Sequence, residues 1–255
     1  MAISSDASAS IAALAAALDE ARRARSRIAP PAPLASFTLA AAYDVQDAGV
    51  ALREAAGERR SGWKLGITSP VKQRVMGIAH PLYGRVFAGV SPAALVAPRT
   101  EPELAFGLAA ALDPAMDDTA LAGAVAWVAP ALEITDSRYT PGMRTAVELV
   151  ADNTSAGSYA LGPRVPLRSA GPIDAFPTEL LRNGVVVLSG STADVLGHPL
   201  NALRLLAAHL AARGVHAGEG DIVFSGAITD AIPVGAGDTI EARLNGLGSV
   251  RATFA

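Results

Sequence analysis

The chain has 255 residues, of which 51% are hydrophobic and 18% charged, so it can bury a sizeable core and is not disordered as a whole. A net charge of −3 without a large basic cluster argues against a nucleic-acid partner, and the absence of cysteine excludes disulfides, thiolate nucleophiles and cysteine-bound zinc. No apolar run reaches the length of a membrane span and no secretion signal is recognisable, so we expect a cytoplasmic protein without a membrane partner.

The first sixty residues carry two helical patterns separated by a proline-rich break. Apolar side chains recur at helical spacing over residues 9–25 and again over residues 38–56. Residues 30–33 form a stiff linker between them. The arginines that end the first helix indicate either an anion or partner site, or a solvated helix end favoured by the helix dipole. We predict an N-terminal helical subdomain over residues 1–60.

From residue 61 to residue 255 the pattern changes to short apolar runs broken by turn residues. Asn-Gly pairs at 183–184 and 245–246 are typical of β-hairpins, and leucines at helical spacing predict one long helix over 199–213. Pro102 indicates an edge strand, a bulge or a strand start. This order of helices followed by mostly β-structure predicts an α+β fold. Predicted strands cover residues 63–68, 101–108, 125–134, 158–161, 166–170, 185–188, 221–224, 239–244 and 249–254.

Three glutamates lie in apolar surroundings. Glu101 and Glu103 are two residues apart, so in a strand their side chains point to the same face, and Glu133 lies in a second apolar run. Like charges are costly to bury unpaired, and carboxylate oxygens suit a hard cation such as Mg²⁺ or Mn²⁺. The glutamates therefore indicate a metal site. The alternative is a solvated strand face for Glu101 and Glu103, with Glu133 in an ion pair.

Lys64 lies between Trp63 and Leu65 in a short apolar strand. Such a lysine either extends its amine to solvent, or holds an anionic oxygen or carries a proton. The signatures of a nucleophilic serine elbow and of a phosphate-binding loop are absent, so the sequence supports neither.

Of the four histidines, His80 lies in a glycine-bounded loop from which it could reach a site. His209 and His216 are predicted at the surface, and His198 is predicted to cap the helix that follows it. No two histidines have the i, i+4 spacing of a helical zinc site.

Six segments occur in an order that resembles a known family: GWKLGITS (62–69), TEPELAF (100–106), PALEITDSR (130–138), ADNTS (151–155), VLGHPLNA (195–202) and NGLGS (245–249). Together they resemble the 2-keto-4-pentenoate hydratase and 4-oxalocrotonate decarboxylase branch of the fumarylacetoacetate hydrolase superfamily. The likeness covers nearly the whole chain.

The resemblance implies a mixed β-sandwich or roll around the site, formed by residues 61–255 as the catalytic domain, and a homo-oligomer. It implies that Lys64 is the active-site lysine. It also implies that Ser225 and Thr229 lie near the substrate, although such residues at strand ends are often only turn residues. The Mg²⁺ or Mn²⁺ ligands implied by the resemblance are Glu101, Glu103 and Glu133.

The implied substrate is a small 2-oxo or 2-hydroxy-dienoate acid, which chelates the ion through its carboxylate and its C2 oxygen. The ion stabilises negative charge at C2, and water then adds to give a 4-hydroxy-2-oxo acid in aromatic catabolism. The same site would serve decarboxylation of a 4-oxalocrotonate-type acid or hydrolysis of an acylpyruvate-type bond. A non-catalytic partner subunit is a further alternative.

One loop departs from the family pattern. Hydratases that resemble this chain carry an acidic residue after the proline of this loop, and decarboxylase-like members carry one before it. The loop 79–84 has neither, so His80 is predicted to replace the missing proton-transfer group, because its pKa suits that role. The alternative is a loop histidine without a catalytic part.

Overall fold

The structure of the chain is a computed structural model that describes residues 5–254, with side chains described from residue 9 onward. Residues 1–4 of the predicted helical subdomain, and residue 255, lie outside the described residues. The α-helices are α1 (Ser5–Arg23), α2 (Leu39–Ala55), α3 (Pro70–Met76), α4 (Asp118–Gly123), α5 (Ala146–Ala151) and α6 (Leu200–Ala212). The strands are β1 (Arg60–Gly66), β2 (Leu82–Phe87), β3 (Arg99–Leu108), β4 (Val125–Thr135), β5 (Ala156–Leu161), β6 (Val165–Pro166), β7 (Pro177–Arg182), β8 (Val185–Ser191), β9 (Ile222–Phe224), β10 (Ile232–Pro233), β11 (Thr239–Leu244) and β12 (Gly248–Thr253).

The long helices follow the apolar spacing of the sequence. Helices α2 and α6 lie within one residue of their predicted bounds, whereas α1 begins at Ser5 rather than at residue 9. Helix α4 is not predicted, because it has only six residues and its main signal is its cap. The Asp117 carboxylate accepts a hydrogen bond from Ala120 N at 2.8 Å. The strand predicted over 166–170 was wrong beyond Pro166, since the chain turns there as a 3-10 helix.

Two arginines at the end of α1, Arg22 and Arg23, form ion pairs. Arg22 lies 2.8 Å from Asp19 and 2.7 Å from Glu58, and Arg23 lies 3.0 Å from Asp19. These pairs support the helix-end interpretation rather than an anion site. No helix within the described residues is both long and apolar enough to cross a membrane.

The strands form two sheets. The larger has the order β2-β1-β9-β3-β4-β5, with β6 paired to β4 and β10 to β3, and the smaller has the order β12-β11-β7-β8. Among the described strands every pairing is antiparallel except β1 with β9. The predicted hairpin at 183–184 is confirmed, and both Asn183 (φ 51°) and Gly184 (φ 82°) have the positive φ that a two-residue turn requires. The predicted α+β fold is confirmed.

Two prolines, Pro102 of β3 and Pro130 of β4, lie inside central strands, at points where a neighbouring strand is interrupted. The Pro102 carbonyl accepts a hydrogen bond from Ile228 N at 2.9 Å, in the irregular chain between β9 and β10. The Pro130 carbonyl accepts one from Gly162 N at 2.8 Å, between β5 and β6. In an antiparallel strand a residue's nitrogen and carbonyl face the same side, so each proline nitrogen faces a gap in the pairing. The strand as a whole is therefore central, but its side at Pro102 is a local edge without a paired strand, as the proline predicts.

The helices and the larger sheet share one hydrophobic cluster. Leu14 and Leu18 of α1 and Val45 of α2 belong to the same cluster of buried side chains as Leu65 of β1 and Phe106 of β3. Side chains of the smaller sheet belong to the same cluster, so this face of the larger sheet is its core face. The opposite face carries Lys64, Glu101 and Glu103.

Candidate metal centre

Three carboxylates converge on one face of the larger sheet. Glu101 of β3 lies directly opposite Glu133 of β4, and Glu103 lies two residues further along β3 on the same face, as the strand period predicts. One carboxylate oxygen from each glutamate lies within 4.8 Å of the others. Glu103 and Glu133 have no exposed surface, which rules out the solvated strand face for Glu103.

The negative charges of the three glutamates repel one another. Burial, and next the Glu133 carboxylate, raise the pKa of Glu101 to about 7, although Lys64 counteracts part of the effect. Burial and the carboxylates of Glu133 and Glu101 raise the pKa of Glu103 well above its usual range. The fold therefore maintains a set of negative charges that is unfavourable by itself.

Among the described residues, three buried carboxylate oxygens of this cluster have no hydrogen bond: Glu103 Oε1 and both oxygens of Glu133. Of these, Glu133 Oε1 forms an ion pair with Lys64, which leaves Glu103 Oε1 and Glu133 Oε2 unpaired. The other oxygen of Glu103 accepts a hydrogen bond from Gly226 N at 2.9 Å, which fixes the orientation of the carboxylate. Buried polar atoms are normally satisfied, so these oxygens indicate a missing positive partner. An all-oxygen set of this kind fits Mg²⁺ or Mn²⁺.

Lys64 of β1 completes the charge cluster. Its side chain is buried, its Nζ atom lies 2.9 Å from Glu133 Oε1, and it donates a hydrogen bond to the Thr154 carbonyl at 3.1 Å. Burial by itself would lower the pKa of the Lys64 amine, but the three glutamates, Glu133 first, outweigh it and raise that pKa. The amine therefore stays protonated and does not extend into solvent.

A cavity of about 420 Å³ opens beside this cluster, a volume typical of a small-molecule site. It combines polar and apolar walls. Thr229 lines it, whereas Ser225 is fully buried at the end of β9, where its Oγ donates to the Gly226 carbonyl at 3.4 Å. The residues that line it include Lys64, Gly66, Glu101, Thr154 and Thr229.

Three titratable residues of this cavity are missing from the sequence-based prediction. Lys72 of α3 and Asp230 form an ion pair of 2.7 Å, and Asp194 lines the wall nearby. No local pattern marks them, because they come from segments far apart in the chain. Only the fold brings them to one cavity.

His80 lies elsewhere. It lines a different cavity, of about 520 Å³, together with Tyr43, Tyr83 and His209. The structure therefore brings Lys64 and the three glutamates together but does not bring His80 to them.

The predictions made for His198 and His209 have different outcomes. His198 Nδ1 accepts a hydrogen bond from Leu200 N at 3.1 Å, which confirms the predicted cap. The surface prediction for His209 was wrong, because its ring packs 4.1 Å from the Tyr83 ring and 4.6 Å from the Tyr43 ring. Burial first, and then the charge of Arg213, lower the pKa of His209 to about 4.

The lowered pKa of His209 predicts how the stability of the protein depends on pH. His209 takes up a proton near pH 6.5 in the unfolded chain, but only near pH 4 in the folded chain. The contribution of neutral His209 to stability is therefore fully present above pH 6.5, and it is lost as the pH falls toward 4. The variant His209→Phe keeps a ring in the stack and cannot be protonated. Between pH 7 and pH 4.5 the natural chain should lose more stability than this variant. Because solvent screens the partly exposed ring, we expect the difference in the loss of unfolding free energy to be only on the order of 1 kcal/mol. Urea unfolding at both pH values measures this, and equal losses in the two proteins would contradict it.

Comparison with known proteins supports one family. The model of the Fumarylacetoacetate (FAA) hydrolase C-terminal family matches residues 68–255. The chain is 36% identical to a 2-keto-4-pentenoate hydratase of Paraburkholderia phymatum over 96% of this chain and 97% of the relative. It is 35% identical to a 4-oxalocrotonate decarboxylase of Pseudomonas sp. strain CF600 over 86% of each chain.

Solved structures give a similar result. The structure of 4-oxalocrotonate decarboxylase from Pseudomonas putida G7, complexed with magnesium and adipate, superimposes with a TM-score of 0.93. The two chains are 32% identical, and the match covers 100% of this chain and 99% of that one.

Proposed function

The chain belongs to the fumarylacetoacetate hydrolase family, and on that premise we propose that it is a divalent-metal-dependent hydratase. Its substrates are 2-hydroxy-2,4-dienoates of the 2-oxo-4-pentenoate type, which it converts into 4-hydroxy-2-oxo acids in aromatic catabolism. The observation that carries the proposal is the buried Lys64–Glu133 pair beside Glu101 and Glu103 at the base of a small cavity.

Glu101, Glu103 and Glu133 are the proposed ligands of Mg²⁺ or Mn²⁺. When bound, the ion acts as a Lewis acid toward the carboxylate and the C2 oxygen of the substrate. The two unpaired carboxylate oxygens and the all-oxygen donor set support this assignment.

Lys64 provides a second positive charge at the C2 oxygen. Its ammonium is buried and held by Glu133, so its electrostatic effect is weakly screened and needs little reorganisation. When the dienol loses its hydroxyl proton and gains one at C5, a double bond remains conjugated to the C2 carbonyl. Water then adds with its oxygen at C4 and its hydrogen at C3.

Thr229 lines the cavity and is the proposed contact for the substrate, with Ser225 supporting the wall from beneath. The cavity arrangement gives no support to His80 as the proton carrier. Asp194 and Asp230 are the carboxyl groups that line the cavity beyond Glu101, and the proposal therefore assigns proton transfer at the far end of the dienoate to one of these two.

A second candidate is decarboxylation of a 4-oxalocrotonate-type diacid. Its specific support is the close superposition on a decarboxylase, together with Lys72 at the cavity, where a second carboxylate would meet a positive charge. The loop that contains His80 favours neither reaction, because it has no acidic residue on either side of its proline.

The test is a product assay on two substrates, 2-hydroxypenta-2,4-dienoate and the six-carbon diacid 2-hydroxyhexa-2,4-dienedioate. We expect hydration of the monoacid, detected as a product heavier by one water. A chelator should abolish it, and added Mg²⁺ or Mn²⁺ should restore it, because the glutamates alone cannot polarise the C2 oxygen. Carbon dioxide from the diacid without hydration of the monoacid would favour the second candidate. Metal binding without turnover of either acid would favour a non-catalytic partner subunit.

We further propose that the protein is a cytoplasmic homo-oligomer, and that each chain has a helical subdomain over residues 1–60 and a β-roll catalytic domain over residues 61–255. Val185, Val186 and Val187 support an assembly, because they form an exposed apolar strip on β8, an edge strand of the smaller sheet. Exposed apolar edges of this kind are usually covered by another chain.

A further inference from the structure

The hydrogen bonds of the Lys64 ammonium leave one donor for a ligand. A protonated amine has three N–H groups. One faces Glu133 Oε1 at 2.9 Å and a second is donated to the Thr154 carbonyl at 3.1 Å. Lys64 and Thr154 both line the cavity, so the third N–H is the one available to a molecule bound there.

The Thr154 carbonyl is presented by an unusual turn. Asn153, Thr154 and Ser155 have φ angles of 49°, 50° and 56°, so three consecutive residues other than glycine are in the left-handed region. That region is unfavourable for a β-branched residue such as threonine. A conformation of this kind persists only where the surrounding structure enforces it.

The surrounding structure does enforce it, through β2. The Asn153 side chain accepts a hydrogen bond from Arg85 N and donates one to the Arg85 carbonyl, both at 2.8 Å. The Thr154 hydroxyl donates to the Tyr83 carbonyl at 2.7 Å. The Asn153–Ser155 turn is therefore hydrogen-bonded to the backbone of β2 at two residues, Tyr83 and Arg85.

Gly66 makes room for this turn beside the lysine. A Cβ atom at position 66 would lie 2.8 Å from Thr154 Cγ2 and 3.3 Å from Lys64 Nζ. The first distance is shorter than any ordinary contact. A side chain at this position would push Thr154 away from the ammonium.

We propose that the Asn153–Ser155 turn and Gly66 position Lys64, with the Thr154 carbonyl fixing the ammonium so that its remaining N–H points at the anionic C2 oxygen of the substrate. Thr154 and Gly66 are positioning residues, because they act through Lys64. The proposal rests on the proposed function in identifying that oxygen.

The first test compares Thr154→Val with Thr154→Ser. Valine removes the hydroxyl that bonds Tyr83 and places a methyl group against that carbonyl, so the turn must shift. We expect kcat to fall roughly 10- to 100-fold, with KM and the Kd for Mn²⁺ within about twofold of the natural chain, because a misplacement near 1 Å has that effect on a positioned group. Serine keeps the hydroxyl and should restore kcat.

Thr178→Val is the matched control. Thr178 is also buried, and its hydroxyl also donates to a backbone carbonyl, that of Phe176 at 3.2 Å, but it lies on β7 in the smaller sheet. The Thr178→Val variant should be less stable than the natural chain but should have an unchanged kcat. An equal loss of kcat in both valine variants would overturn the proposal, since it would indicate a general effect of destabilisation.

The second test uses Gly66→Ala and the double variant Gly66→Ala with Thr154→Ser. Alanine alone should lower kcat, because its methyl group meets Thr154 Cγ2. Serine lacks that carbon, so the double variant should recover at least about tenfold of the lost kcat. Failure to recover would contradict the steric route through Thr154.

Binding of oxalate to the Mn²⁺-loaded protein provides a readout that does not depend on turnover. Oxalate offers two adjacent anionic oxygens, as the enolised acid does. We expect its Kd, measured by calorimetry, to rise about tenfold in Thr154→Val and to stay unchanged in Thr154→Ser and Thr178→Val. Unchanged oxalate binding and kcat in Thr154→Val would overturn the positioning role. If the natural chain binds oxalate but turns over no dienoate, the proposed function fails and the oxalate series still judges the positioning role.

Discussion

Replacing Glu103 with glutamine is expected to abolish metal binding and turnover while stabilising the metal-free fold. Glutamine has the same shape and can still accept the hydrogen bond from Gly226 N. It removes one of three negative charges that the metal requires. It also removes a repulsion that the metal-free protein has to tolerate, so binding and stability should change in opposite directions.

The sign of the stability effect follows from the pKa shifts. Burial and the neighbouring carboxylates raise the pKa of Glu103 and of Glu101 in the folded protein, the latter to about 7. An acid with a raised pKa contributes stability that is present below its ordinary value near 4.5 and is lost as the pH rises through the folded value. We therefore expect Glu103→Gln to be more stable than the natural chain at pH 7 in a chelator, by about 1–2 kcal/mol, or roughly 2–4 °C in Tm.

Thermal melts with a chelator and with saturating Mn²⁺, together with calorimetric titration of the metal, measure both effects. Metal should raise the Tm of the natural chain and leave that of the variant unchanged. Glu241→Gln is a matched control, because Glu241 is paired with Arg243 and Arg251 and the hydrogen bond from Arg243, followed by that from Arg251, lowers its pKa. Full metal affinity in Glu103→Gln would remove this residue from the centre.

Replacing Lys64 with methionine is expected to give the complementary pattern. Turnover should fall by roughly 10²–10³-fold, the effect of removing one donor from a site that stabilises an oxyanion. Metal affinity should be kept or increased, because a positive charge next to Glu133 is removed. The metal-free fold should lose about 3–5 kcal/mol, since the variant leaves buried carboxylates without a partner.

Product assays, Mn²⁺ titrations and urea unfolding in a chelator separate these effects. Lys64→Arg keeps the positive charge, so we expect this variant to fold. It should remain poorly active, because Gly66 and Thr154 leave no space for the larger guanidinium group. Turnover by Lys64→Met close to that of the natural chain would show that the lysine is not part of the reaction. Loss of metal binding in Lys64→Met would indicate that the main role of Lys64 is structural.

The parts of the site that the sequence predicts are those that depend on local geometry. The two-residue period of a strand places Glu101 and Glu103 on one face, and apolar neighbours indicate that the face is buried. The Asn-Gly pair at 183–184 predicts its hairpin because the turn needs positive φ at both positions.

The parts that it does not predict depend on distant segments. Whether Pro102 fits a central strand is decided by where β9 ends, more than a hundred residues later in the chain. The burial of His209 comes from Tyr43 and Tyr83, on two other elements. The Thr154 carbonyl reaches Lys64 only because its turn is held on β2.

The parallel pairing of β1 with β9 in the larger sheet has a consequence for how the protein is made. Strand β9 lies between β1 and β3, so the strand that carries Lys64 cannot join the strands that carry the glutamates until residues 222–224 have left the ribosome. Pairing over so long a separation in sequence is slow compared with the closure of the β3–β4 hairpin. We therefore expect the ammonium and the carboxylates to remain hydrated through most of synthesis. They would be enclosed together in a late step, so that no intermediate needs to bury one sign of charge without the other.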